Sequence, residues 1–111
     1  MSQTEEIELS IVEAKKMIAR KDAASRLADN ADFKELILDG YLKEEAIRLG
    51  HISADPNMKP HREEIFLALQ GISLFRQYMQ NMIRMGDIAA AELFDHEQAL
   101  DEVRAEEAYV A

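Results

Sequence analysis

A chain of 111 residues with 22 acidic and 13 basic side chains carries a formal net charge of −9 and has the length of one domain. Its hydrophobic share of 48% is too high for a disordered polypeptide, and the lack of cysteine excludes a disulfide framework, a thiolate metal site and a cysteine nucleophile. The basic residues are outnumbered, dispersed and not interleaved with aromatic platforms, which argues against direct nucleic-acid binding. No apolar run approaches the roughly 20 residues of a membrane span, and Glu5-Glu6 stands where a signal peptide would be basic. No membrane partner is expected.

The first predicted element is an amphipathic helix over about residues 4–28. Ile7, Ile11, Ala14 and Ile18 recur at spacings of four and three, and Val12, Met17, Ala24 and Leu27 widen the stripe. Acidic Glu5, Glu6 and Glu8 precede basic Lys15, Lys16, Arg20 and Lys21, the order that the helix dipole favours. Asp29-Asn30-Ala31-Asp32 then breaks the pattern, and Asp32 with Glu35 reads as a capping box opening a second helix over 33–49. Phe33, Leu36, Ile37, Tyr41 and Ile47 supply its apolar face, with Leu38, Leu42, Ala46 and Leu49 beside it. Gly50 suits a C-terminal cap. Gly40 lies mid-helix at a cost of about 1 kcal/mol relative to alanine, which predicts a tight backbone crossing there.

Asp55-Pro56-Asn57 and Pro60 mark residues 51–60 as a loop. From His61 the period changes to seven. Ile65, Ile72, Met79, Gly86, Leu93 and Leu100 are each followed three residues later by Ala68, Phe75, Met82, Ala89, His96 and Val103. Six heptads in one phase predict a long helix over 61–106 with a coiled-coil-like seam. Gly86-Asp87 is the weak joint, since glycine can end a helix and aspartate can cap the next, yet the phase passes through it without a slip. Residues 87–111 hold eight acids and Arg104 as the one lysine or arginine, whereas residues 59–84 have four basic and two acidic side chains. The expected architecture is thus all-α: one domain, in which a helical hairpin packs on the first half of a long C-terminal helix and the acidic end projects.

Chemistry-bearing patterns are few. A helical di-metal site needs paired Glu-x-x-His motifs, and the residues three before His51 and His96 are Arg48 and Leu93. Glu44-Glu45, Glu63-Glu64 and Glu106-Glu107 are adjacent pairs whose members diverge on a helix, and the five serines and four glycines form neither a nucleophile elbow nor a phosphate loop. No catalytic, cofactor-binding or metal residue is assigned, and no enzyme or cofactor is expected. Met79, Met82 and Met85 fit either an adaptable binding groove or ordinary packing under the first two helices. Arg76, Gln80 and Arg84 read as the solvated back of the same helix, or as a small recognition face. Beyond Leu93 a roughly 36 Å hairpin cannot cover a roughly 70 Å rod, so the seam from there is expected to lack an intrachain partner. The interaction residues expected on that basis are Met79, Met82, Leu93, His96, Leu100 and Val103, with protein partners: a second copy or a larger assembly.

The run Phe33-Lys34-Glu35-Leu36-Ile37-Leu38-Asp39-Gly40-Tyr41, the following Glu44-Glu45-Ala46-Ile47-Arg48-Leu49 and the Asp-Pro loop resemble small acidic proteins that tailed bacteriophages encode among virion-structure genes. Ile72-Ser73-Leu74-Phe75-Arg76-Gln77-Tyr78 and Met85-Gly86 are similar to that group as well. The resemblance spans about residues 10–107 and carries no catalytic motif. It implies a phage origin, a place in the virion or the host cytoplasm, and a role in particle assembly or, alternatively, as an acidic regulator that binds and inhibits a host protein.

Overall fold

The computed structural model describes residues 2–110, which form three helices and no strand. Helix α1 is Gln3–Asp29. Helix α2 begins as an α turn, Ala31–Phe33, continues as a π-helix, Lys34–Glu45, and returns to α form in Ala46–Ser53. A 3-10 segment, Pro56–His61, leads into α3, Arg62–Val110, which passes through Gly86 and Asp87 without interruption. The fold is all-α with a long C-terminal helix, as the periodicity predicts.

Local chemistry explains the boundaries, with two corrections. Asn30, not Asp32, caps α2: its Oδ1 accepts the Phe33 N–H at 2.9 Å, satisfying one of the free amides at the helix start. Gly50 is not a terminator. No residue has positive φ among those described, and α2 runs three residues further, to Ser53, whose hydroxyl donates to the Gly50 carbonyl at 2.7 Å. Asp55 opens the 3-10 segment by accepting the Asn57 N–H at 2.9 Å, with Pro56 at the first position, where no amide donor is needed.

The described residues group into two compact units, one of residues 2–24 and 82–110, the other of Ser25–Asn81, where length alone predicts a single core. In the first unit α1 lies antiparallel to the second half of α3. Thr4 donates to Glu107 at 3.0 Å, Arg104 donates to Glu8 at 3.0 Å, and Lys21 pairs with Asp87. The first helix therefore does not share the first half of α3 with α2, and the acidic end does not project alone. Two features select this pairing. A 27-residue helix is about 40 Å long, enough for the stretch of α3 beyond Gly86. Two ion pairs of opposite sense, Lys21 of α1 with Asp87 of α3 and Arg104 of α3 with Glu8 of α1, also join the two helices.

The second unit is built around Leu42, Leu49, Ile65 and Ile72, against which Ile37, Leu38, Ala46, Ile52, Met58, Leu69 and Phe75 pack. Tyr41 and Phe75 meet edge to face at 6.1 Å. The face expected inside is partly outside: Leu36 is 67% and Ile47 52% exposed, while Leu42 and Leu49 are buried. Leu38, Leu42, Ala46 and Leu49 follow one another at spacings of four, four and three, a stripe on the opposite side of the helix from Leu36 and Ile47, and the wider turn of the π segment brings Ile37 toward it. Returning from π to α geometry skips one carbonyl. Near that junction the Leu42 carbonyl accepts from Arg76 Nη2 at 2.6 Å, so Arg76 ties α3 to α2 rather than lying on a solvated back.

The close crossing expected at Gly40 occurs at Gly86. A Cβ on Gly40 would meet its own helix, at 3.1 Å from the Glu35 carbonyl. A Cβ on Gly86 would fall 2.9 Å from Lys21 Cγ and Cδ and nearer still to its Cβ, so α1 rests directly on the α3 backbone. Gly50, by contrast, has nothing within 4 Å of an added Cβ. Gly50→Ala is expected to stabilise by about 0.5–1 kcal/mol through helix propensity. Gly86→Ala is expected to destabilise by about 1–3 kcal/mol despite the same propensity gain, because α1 must shift. Opposite movements of the melting temperature check both. Arg76→Ala is expected to cost about 1.5–3 kcal/mol in urea denaturation by leaving the Leu42 carbonyl without its charged donor.

Candidate functional site

The seam on α3 is real but largely covered by the same chain. Ile65, Ile72, Ala89, Leu100 and Val103 are buried, Gly86 lies under Lys21, and Phe75, Met79, Met82, Leu93 and His96 are half-buried; Ala68 alone of the twelve seam positions is exposed. Leu100 and Val103, each 8% exposed, lie in the first unit with Ile11 and Ala14 of α1, which are buried too. The expectation that Leu93, His96, Leu100 and Val103 lack an intrachain partner is therefore overturned, because α1 takes that half of α3. The methionines separate as well: Met79 and Met82 belong to the half-buried seam, whereas Met85 is 45% exposed beside it.

Two other surfaces stand out, one away from the seam and one along its edge. On the second unit, the outer side of α3 exposes Phe66, Leu67, Leu74 and Tyr78, each by more than half, around a shallow hollow of about 380 Å³ lined by Phe66, Leu69, Gln70, Ser73, Leu74 and Gln77. In residues 65–83 the one charged side chain is Arg76, and its guanidinium is engaged with the Leu42 carbonyl. The signal was present in the sequence as a long uncharged run, but periodicity directs attention to the seam instead.

On the first unit, a trough of about 430 Å³ runs between the helices, lined by Ser10, Glu13, Ala14 and Met17 of α1 and Met85, Ile88, Ala89, Glu92 and His96 of α3. Its walls are apolar at Ala14, Met17, Met85, Ile88 and Ala89 and polar at Ser10 and His96, and the exposed carboxylates of Glu13 and Glu92 belong to it. Among the described residues no three His, Asp or Glu side chains gather as metal ligands, no buried polar side chain is left without a partner, and no helix is long and apolar enough to cross a membrane. The chain matches no protein-family model, and comparison with curated proteins and with solved structures finds no similar chain. The surfaces are therefore read by their chemistry: one neutral and apolar, the other an apolar trough with acidic members.

Two ion pairs shift protonation at the surface. The Asp87 carboxylate, by hydrogen bond and charge, raises the Lys21 ammonium above its ordinary 10.5. The Arg48 guanidinium holds Glu45 below the usual carboxylate value, and Glu45 raises Arg48 in turn. Because Lys21 is raised in the folded chain, its contribution is full below its ordinary value and is lost as pH rises through the raised one. Wild type is expected to melt slightly above Lys21→Met at pH 7 and low salt, with the gap closing at strongly alkaline pH. Because methionine keeps the stem that lies on Gly86, a gap that persists there would show that the charge of Lys21 is not its source.

Proposed function

We propose that this chain is a non-enzymatic assembly protein of a tailed-bacteriophage particle that acts through helix-to-helix contacts and self-associates by the uncharged outer face of α3. The observation that carries this reading is the exposure of Phe66, Leu67, Leu74 and Tyr78 in a stretch with one engaged charge, on a chain of net charge −9. Large apolar side chains grouped on one face gain by being covered. Two copies of an acidic chain repel wherever their carboxylates meet, so a neutral face is where a second copy can approach at least electrostatic cost. The phage assignment rests on the resemblance of residues 10–107, and a place in the virion or the host cytoplasm goes with it.

A second reading, a small acidic regulator that binds a host protein, draws on the other end. Glu92, Asp95, Glu97, Asp101, Glu102 and Glu106 are all exposed, and the nearby Arg104 is paired with Glu8. A single stoichiometric host partner recovered with a monomeric chain would favour it.

Sedimentation equilibrium separates the two. Wild type is expected to associate as concentration rises, and Phe66→Asp with Leu74→Asp is expected to remain monomeric with unchanged helicity, since both side chains are exposed. Leu93→Asp with Leu100→Asp is expected to act differently, lowering the melting temperature by loosening α1 from α3. A wild type that stays monomeric at high concentration would overturn self-association, and purified particles without its peptides would overturn the virion role.

A further inference from the structure

The trough of the first unit is built from more than a two-helix seam requires. In α1 the inward residues Thr4, Ile7, Ile11, Ala14, Ile18 and Lys21 alternate spacings of three and four, which makes Ile11 and Ile18 a positions and Ala14 a d position. In α3 Gly86 and Leu93 are a positions, and Ala89 and His96 are d positions. On this frame Met17, Met85 and Glu92 are g positions, and Glu13 and Ile88 are c positions. Both helices thus line the trough with their d, g and c residues. Two paired helices need apolar residues at a and d alone; the apolar stripe widens to a third position where a helix faces a bundle. Met17, Met85 and Ile88 supply that widening, and Met85 and Ile88 are 45% and 51% exposed.

We infer that this trough is a docking site for one amphipathic helix of a partner protein, whose apolar stripe is flanked by lysine or arginine. Charge selects the occupant. Residues 2–24 and 82–110 hold thirteen acidic and six basic side chains, net −7 of the chain's −9. Glu13 on one wall and Glu92 on the other place a carboxylate on each side of the trough, where basic side chains flanking an apolar stripe would meet them. The same unit of a second copy would offer the trough an equally acidic face, and the uncharged outer face of the other unit would leave Glu13 and Glu92 without counter-charges. Two near-parallel helical walls match a third helix in shape, and the unbranched methionines can repack around its side chains. This inference goes beyond the self-association proposed above and does not depend on it, because the two surfaces share no residue.

The test is fluorescence anisotropy of the full chain with a labelled three-heptad peptide bearing leucine at a and d and lysine at e and g, beside the same peptide with glutamate replacing lysine. The basic peptide is expected to bind at least roughly tenfold tighter, with affinity falling severalfold between about 0.05 and 0.3 M salt. Ile88→Asp is expected to weaken it by roughly tenfold or more at preserved helicity, and Glu13→Gln with Glu92→Gln to weaken it severalfold and flatten the salt dependence. Phe66→Asp with Leu74→Asp is expected to leave it unchanged, which keeps failure of the self-association reading distinct. Equal binding of both peptides, no binding, or basic-peptide binding indifferent to Ile88→Asp would overturn the inference, the last by revealing diffuse attraction to an acidic chain. Self-association lost in Ile88→Asp, with no peptide bound, would assign the trough to a second copy and overturn it as well.

Discussion

A helix laid against one other helix can bury one stripe of its surface and no more, and the rest of this structure follows from that constraint. Among the described residues ten hydrophobic side chains are buried, and no large one is fully enclosed. In the first unit the stripe is the α1–α3 seam, drawn close at Gly86, where the Lys21 stem lies on the opposing backbone and its ammonium reaches Asp87. Two residues suited to ending a helix serve instead to bind two helices together. The apolar residues that the seam cannot take, among them Met85, Ile88 and Phe94, are left facing water.

The second unit meets the same constraint with a different device. Of the apolar residues on several sides of α2, the stripe of Leu38, Leu42, Ala46 and Leu49 packs toward Ile65 and Ile72, Leu36 and Ile47 face water, and the π segment lets Ile37 join the inward side. The change of ladder leaves a carbonyl to be satisfied, and Arg76 reaches across from α3 to the Leu42 oxygen. That bond anchors the lone charged side chain of residues 65–83 to α2, while the outer face is uncharged because Phe66, Leu67, Gln70, Ser73, Leu74, Gln77 and Tyr78 carry no charge.

Electrostatics then gives the two exposed surfaces different preferences. The neutral face of the second unit imposes little repulsion on a like chain, whereas the trough of the first unit sits among most of the net negative charge. Hydrophobic burial supplies the tendency to be covered in both places, and charge decides by what. The function proposed above would give the chain one surface for a like chain and one for a different partner, as suits a connecting part in a larger assembly.

Helicity, the long third helix and the seam positions were legible in the amino-acid order, because a heptad repeat sustained over six periods has one structural solution. The charge asymmetry that distinguishes the two surfaces was legible as well. Other features depended on partners distant in sequence. Periodicity names the residues that face inward, but not which of two helices they meet, and so Leu93, Leu100 and Val103 read as unpartnered until α1 was seen beside them. The inward face of α2 was hidden for the same reason: helical spacing offers two apolar stripes, one with Leu36 and Ile47 and one with Leu38, Leu42 and Leu49, and packing against α3 selects the second. Composition and period determined the elements and their stripes; tertiary structure decided the pairings, because burial is a property of two surfaces and one stretch of sequence describes only one of them.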